Sequence, residues 1–492
     1  MEVATDSDAG LHADLRALGE KSARRAATAA VIARRVVYGA AGAYAVLFVA
    51  AAVVHFLVFR STHTDLGTMA QAVWSTAHGH FLETTTLAGR NTTRLAGHVD
   101  PFLVLLVPLW WVWSSPLMLV VVQALAVSTG ALPVFWLARK HLRSDRAGVH
   151  LALAYLLFPA TQFNAFSIAS GFHAVSLAVP LVLFAIWFLD EDRLALFAVF
   201  AVLAASTKEE IPAAVACLGI WYAVRRGKRL AGLSIFVLGF AVSLIDFLVV
   251  IPHYSPTGID PFVGRYEQVG GTPGGILHKA VSDPIAFVHA VATTHKLIYV
   301  VFLLAPLLGL CLLEPLLLLG AVPDLVINLL SAKSDQTVIA NPRTAGIVPF
   351  VIAAAIFGAA RLKRDPDRVS LYLLVGVACV AVYSPIILAG SDLRALSSPA
   401  RSAKAHALDL VPSGARVSAS NELGTYLAAR RYIYTFPTLG SATWVVVDRA
   451  DSTYGDAPGY LRTVREIESS PRWKMLYSAE GVAVLRKRAS GR

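Results

Sequence analysis

The chain has 492 residues, 56% of them hydrophobic, a mean hydropathy of +0.61 and a formal net charge of +11. Charged residues make up 15%, against roughly 25% in soluble domains, so a soluble globule is excluded and a multi-spanning membrane protein is expected. In a soluble protein such positive charge would point to nucleic acid. Here it clusters in short loops between apolar runs, as cytoplasmic loops do, and the expected partner is the lipid bilayer, with no nucleic acid. Cys217, Cys311 and Cys379 lie in apolar runs without metal-ligand spacing, and a disulfide framework is not expected.

Residues 1–35 form a polar tail ending in Arg24, Arg25, Arg34 and Arg35, which places it in the cytoplasm. The first apolar run, 36–59, is long enough to span a bilayer and begins too late for a cleavable leader. A long outer loop follows over 60–115. Alternation of apolar runs and basic loops then predicts an all-α transmembrane domain over 36–390, with about eleven spans and a second large outer loop at 252–296. The basic clusters 139–146, 225–229 and 361–368 fall inside with the N-terminus, and a hinge is expected near Glu314 and Pro315. After Ser391 the composition turns polar. Short β-branched runs at 416–420, 432–436, 444–447, 473–478 and 481–486, with helical stretches at 421–430 and 459–468, predict a small α/β domain outside the membrane over 391–492.

That topology brings the unusual polar residues to one face. Asp65 heads the first outer loop, before an amphipathic stretch in which Leu66, Met69, Ala70, Val73 and Trp74 recur at helical spacing. A second apolar stretch, 101–113, carries Trp110, Trp111 and Trp113, the residue type of the headgroup zone. Two interfacial helices would frame a groove containing Arg90, Arg94, His98 and Asp100. Asp65 also has a plain structural reading as a helix N-cap. Lys208, Glu209 and Glu210 interrupt apolar sequence, and each charge at mid-membrane costs roughly 2.5–3.5 kcal/mol on insertion scales, so the three must reach water, pair, or bind something. His173 falls on the same side.

The segments Thr64-Asp65-Leu66-Gly67, Gln71-Ala72-Val73-Trp74, Gly97-His98-Val99-Asp100-Pro101, Phe172-His173 and Thr207-Lys208-Glu209-Glu210 resemble the bacterial membrane family known as domain of unknown function 2079. Ala419-Ser420-Asn421, Arg430 and Tyr434-Thr435-Phe436-Pro437 fit as well, and the likeness covers about residues 60–450. Two departures stand out. A Tyr-His pair usual near 340–344 is absent, and a Pro-His pair is replaced by Thr425-Tyr426. The wider resemblance is to GT-C glycosyltransferases, which share many spans, a long first outer loop opening on an acidic residue, and often a soluble C-terminal domain.

The resemblance implies a polyprenyl-phosphate-linked sugar donor and an extracytoplasmic glycan, lipid or protein acceptor at the plasma membrane. Asp65, with Glu209, is then the catalytic candidate. Trp74, Arg90, Arg94, His98, Asp100, His173, Lys208 and Glu210 are candidates for binding substrate. A divalent cation, Mg or Mn, is a candidate cofactor, with Asp65, His98, Asp100 and Glu209 as its ligands, although their spacing matches no metal motif. The rival classes are a transporter or flippase of envelope precursors and a non-catalytic scaffold. No internal repeat supports the transporter, and no Walker motif supports an ATP-driven pump.

Overall fold

The computed structural model describes residues 4–85, 89–168, 170–258 and 261–488. The first helix, Ala4–Leu57, contains the apolar span Ala27–Leu57. Val37, Ala41, Tyr44, Phe48 and Ala52, spaced by three or four residues, are buried along one stripe, while Val36, Val46 and Leu47 remain exposed. An apolar residue facing outward on a long apolar helix is the pattern of a lipid-facing surface. Phe59, with φ of 61°, ends the run by turning the chain into the first loop.

Three more helices among the described residues are long and apolar enough to cross a membrane: Pro116–Leu142, Arg229–Tyr254 and Pro366–Ala395. A fifth span exists only if Pro284–Val291 and Thr294–Leu307, bent by 58°, are taken together. The expectation of about eleven spans is thus not confirmed: by length and composition four helices among the described residues, or five with the bent pair, are long and apolar enough to cross. The other apolar segments form shorter helices, among them Ala174–Asp190, Leu194–Ala205, Ile211–Arg225 and Val348–Arg361. Helices of 12–17 residues reach only about 18–26 Å, short of the roughly 30 Å hydrocarbon core. Proline sets several of their boundaries: Pro159, Pro212, Pro315 and Pro349 each stand at the first or second position of a helix.

Two of the long helices connect opposite ends of the bundle. Pro116–Leu142 and Arg229–Tyr254 each extend roughly 40 Å at 1.5 Å per residue. At one end the basic loops meet. Lys140 pairs with Asp190 at 2.6 Å, Arg226 with Asp192 at 3.3 Å, and Arg225 with Glu314 at 3.0 Å, while Arg361 also binds Glu314. Glu314 thus sits among the cations of the basic end, as its place at the expected hinge requires. The hairpin Ile211–Arg225 and Arg229–Ile245 closes around Gly219 and Gly232, where a Cβ on either would lie 2.3–2.4 Å from the other's carbonyl oxygen. Such small-residue contacts let membrane helices approach closely. Gly232→Leu forces them apart, so a lower unfolding temperature is expected in a detergent thermal-shift measurement; an unchanged value would show that the hairpin does not depend on this contact.

At the other end the first outer loop is compact. A π-helical turn His63–Gly67 leads into helix Thr68–Ala77, followed by a hairpin of β1 (Glu83–Thr85) and β2 (Asn91–Thr93). The helix does not lie with a free apolar face in the interface as expected. Gln71 on it is fully buried and bonds Thr85 and the carbonyls of Arg430 and Arg431, so its outward face is covered by the C-terminal domain. The second stretch, Pro101–Val112, does keep an exposed apolar tip, with Trp111 68% and Val112 87% exposed. The second outer loop contains helices Pro273–Ser282 and Pro284–Val291.

The C-terminal region holds a five-stranded sheet of β3 (Val417–Ala419), β4 (Ile433–Thr435), β5 (Trp444–Asp448), β6 (Trp473–Ala479) and β7 (Val482–Lys487). Its order is β4-β3-β5-β7-β6, with β3 parallel to both β4 and β5 and the remaining pairs antiparallel. The expected helix over 421–430 is only Asn421–Gly424 and a 3-10 turn Thr425–Leu427. There the Thr425 hydroxyl donates to the Ser61 carbonyl at 3.0 Å and the Tyr426 hydroxyl to the Phe56 carbonyl. The departure Thr425-Tyr426 therefore fastens the sheet domain to the end of the first span.

Candidate functional site

The carboxyl ends of β3 and β4 press onto the turn that carries Asp65. Asn421 Oδ1 accepts from the Thr64 backbone N–H at 3.0 Å, and Thr435 Oγ1 lies 2.8 Å from His63 Nδ1. His63 is wedged in place. A Cβ on Gly67 would come within 2.5 Å of its ring, and one on Gly424 within 2.9 Å. The glycine of Thr64-Asp65-Leu66-Gly67 is thus needed for close packing against His63, whose burial lowers its pKa to about 4 and keeps the ring neutral.

Asp65 points into a cavity of about 660 Å³ at this end of the bundle. It makes no N-cap bond to the following helix, whose N-cap is Gly67. The structural N-cap reading is therefore corrected. One carboxylate oxygen accepts from Thr62 Oγ1 at 3.2 Å, and the other lies 3.5 Å from His173 Nε2. The side chain is 37% exposed, but to the cavity rather than to an open surface. That enclosure raises the Asp65 pKa, against the Thr62 hydrogen bond and the nearby Arg94, Arg343 and His98. His173 shifts the other way. Burial and the neighbouring cations Arg94, Lys208 and Arg343 press its pKa down, so its ring is neutral beside Asp65. The backbone N–H of His173 donates to Gln123 Oε1 at 2.8 Å, which holds its loop to the span Pro116–Leu142.

Of the residues named from the sequence, Asp65, Arg90, Arg94, His98, Asp100, His173 and Lys208 line this one cavity. Three do not. Glu209 stands behind the wall, with Oε1 2.9 Å from His98 Nδ1 and Oε2 accepting from the Val99 backbone N–H at 2.9 Å. Burial disfavours its charge, yet His98 and Lys208 outweigh burial and lower its pKa. Its carboxylate does not line the cavity and instead orients His98 and tethers the Val99 backbone. Glu210 pairs with Lys208 and is buried. Trp74 stacks on His78 with centroids 4.3 Å apart, away from the cavity. In the turn Lys208-Glu209-Glu210 the lysine lines the cavity and keeps Glu210 as its buried partner, while Glu209 turns to His98 and Val99.

Arg265, Gln336, Arg343 and Thr435 also line the cavity and were not singled out from the sequence. Arg343 is held by Asp335 at 2.9 Å and by Gln336. It lies within the segment 340–344, where the departure from the resembled family drew attention to missing histidines rather than to the arginine present. The ring of His98 stacks on Phe262 at 4.8 Å, and the Arg265 guanidinium lies 4.0 Å over the other ring, so the second outer loop closes that side. Asp100 binds Arg94 at 2.6 Å, and burial raises its pKa against that cation.

The donors proposed for a divalent cation do not gather as a ligand set. Among the described residues no group of three or more His, Cys, Asp or Glu side chains is placed to hold a metal ion. Asp100 and Glu209 already spend oxygens on Arg94, His98 and a backbone N–H. The described residues thus form no set of ligands for a divalent cation.

The family model for predicted membrane proteins DUF2079 matches residues 56–484, and the chain belongs to that family. No curated protein matches it. Among solved structures it is similar to ArnT from Cupriavidus metallidurans bound to undecaprenyl phosphate, at 14% identity and a TM-score of 0.53, covering 90% of this chain and 98% of that one. The apo state of the same ArnT gives 13% identity and a TM-score of 0.50, covering 91% and 98%. The likeness is one of fold, and it is the GT-C fold expected from the sequence.

Proposed function

Proceeding from that family and fold, we propose that the protein transfers a sugar from a polyprenyl-phosphate-linked donor to an extracytoplasmic acceptor. The observation that carries this reading is the Asp65 carboxylate, bound among the described residues to no cation at hydrogen-bond distance as Asp100 is to Arg94, facing a cavity whose lining cations are Arg90, Arg94, Lys208, Arg265 and Arg343. A lipid-linked donor keeps its phosphate at the membrane surface, and the structural neighbour ArnT is bound to undecaprenyl phosphate. As the bond from the anomeric carbon to the phosphate oxygen breaks, negative charge grows on the phosphate and the cations stabilise it. The sugar passes through an oxocarbenium-like state. Asp65 takes the proton of the acceptor hydroxyl as that oxygen bonds to the anomeric carbon. A raised pKa makes its carboxylate a stronger base than a free aspartate.

The direct test is transfer of labelled sugar from a polyprenyl-phosphate donor by the purified protein, with an Asp65 variant as control. The pH profile carries a second expectation. The base form of Asp65 is lost as pH falls through its raised pKa, so the acid limb lies above the range of a free aspartate. Arg94 lowers that pKa, so Arg94→Gln is expected to move the limb further up. A limb that stays in place or moves down in Arg94→Gln would detach it from Asp65.

The orientation follows the basic loops. With the basic end in the cytoplasm, Lys363 lies inside, while Thr64 and Ser452 face the outside. In a cysteine-free background, Thr64→Cys and Ser452→Cys are expected to react with an impermeant thiol reagent on intact cells, and Lys363→Cys only after permeabilisation. The reverse pattern would invert the protein and remove the extracytoplasmic acceptor.

A further inference from the structure

A second cavity, of about 650 Å³, lies between the end of the first span and the C-terminal domain. Its lining includes Arg60, Thr62, Arg401, Lys404, Glu422 and Thr453. Three observations set it apart from an incidental gap. The first is its place on the sheet. The chain leaves β3 toward β4 on one side, and leaves β5 through helix Ala457–Ser469 toward β6 and β7 on the other. The reversal falls between β3 and β5, and in open α/β sheets ligands bind outside the carboxyl ends of the strands at that point. Glu422 follows β3, and Ala450, Ser452 and Thr453 follow β5, so the cavity occupies that crevice.

The second observation is the charge of the lining. Lys404 is shared between Glu422 at 3.1 Å and Asp448 at 2.7 Å, and Arg60 is matched by Asp392 at 2.8 Å. Arg401 differs. Among the described residues its guanidinium has one hydrogen bond, from Nε to the Leu57 carbonyl at 3.0 Å, and no carboxylate partner. Its remaining N–H groups form a fork suited to a carboxylate or phosphate. The third observation is proximity to Asp65. Thr62 lines this cavity while its hydroxyl donates to Asp65 Oδ2, which lines the other. Asn421 spans the same partition, accepting from the Thr64 N–H and donating to Thr453 Oγ1 at 3.1 Å.

We infer that this crevice is a second binding site, taking the phosphate or carboxylate end of a polar molecule on Arg401. On the transferase reading above, it anchors an anionic acceptor beside Asp65, and the substrate class is a hydroxyl-bearing acceptor that carries negative charge. The occupied crevice holds the sheet domain against the Asp65 turn through Asn421 and Thr62.

The test uses the full-length protein in nanodiscs, with glucose 1-phosphate as an anionic probe, glucose as its neutral counterpart, and undecaprenyl phosphate as a probe of the first cavity. Binding is read directly, without turnover, so failure of the transferase reading leaves this result standing and failure here leaves that reading standing. Glucose 1-phosphate is expected to bind and glucose not. Arg401→Gln should weaken glucose 1-phosphate at least tenfold, as should Ser452→Glu, which puts a like charge in the crevice without removing a bond. Both variants should bind undecaprenyl phosphate as the parent does. Glucose 1-phosphate binding that survives both substitutions, or that is lost instead in Arg343→Gln, would place the anion in the first cavity and overturn the inference. Equal binding of glucose would overturn its anionic character.

Discussion

Asp65→Asn is expected to lower transfer from a polyprenyl-phosphate sugar by about two to four powers of ten, the usual contribution of a positioned general base. The substitution changes little else. Asparagine is nearly isosteric, and its amide still accepts from Thr62 Oγ1, now 3.2 Å from the carboxylate. Asp65 caps no helix, so no loss of helix stability accompanies the change. What disappears is the capacity to take a proton. Thermal unfolding in detergent should be unaltered while turnover collapses. An Asp65→Asn protein that transfers sugar at the parental rate would remove Asp65 from the mechanism and leave the transferase reading resting on fold alone.

The neighbours of Asp65 refine the expectation. His173 is neutral and its Nε2 is 3.5 Å from the carboxylate, so it adds no competing charge beside Asp65. Glu209 acts one step back. It orients His98 and tethers the Val99 backbone, so its removal loosens the wall rather than the base. The two acids are therefore distinct in kind, although both are acidic residues at the same end of a hydrophobic chain.

Much of this site was legible because charge in an apolar sequence is expensive. Asp65, His98, Asp100, His173 and Lys208 interrupt or border apolar runs, and hydropathy alone was enough to bring them to one end. Arg343, Arg265 and Thr435 sit in loops of ordinary polarity, far along the chain, and only the folded loops bring them to Asp65. The separation of Lys208 from Glu209 depends on side-chain direction, which composition does not carry. The sheet domain was legible because its strands are short runs of aromatic and β-branched residues, as in Trp444 followed by Val445, Val446 and Val447. The span count was legible only in part. A hydropathy walk reads every apolar run alike, whereas breaks such as those at Pro159 and Pro315 divide several runs into shorter helices.

Lys208→Met is expected to destabilise the folded protein by about 3–5 kcal/mol, the cost of removing one partner from a buried ion pair. Burial works against the lysine charge, but Glu210, Glu209 and Asp324 outweigh it and raise the Lys208 pKa. The same burial raises the pKa of Glu210, against the lysine's opposing pull. With the cation gone, Glu210 either keeps an unmatched charge in a buried place or takes up a proton, and both lower stability near neutral pH. Adding Glu210→Gln removes the orphaned charge, so Lys208→Met/Glu210→Gln should recover most of the loss, because replacing both members of a buried pair is often near neutral. Activity should not return with stability, since Lys208 lines the cavity and the double variant still lacks that cation beside the departing phosphate. Chemical denaturation and transfer assays on the three proteins separate the two roles. A double variant no more stable than Lys208→Met would show that Glu210 is not the group Lys208 neutralises. One that regains transfer would take Lys208 out of phosphate stabilisation and leave it a purely structural cation.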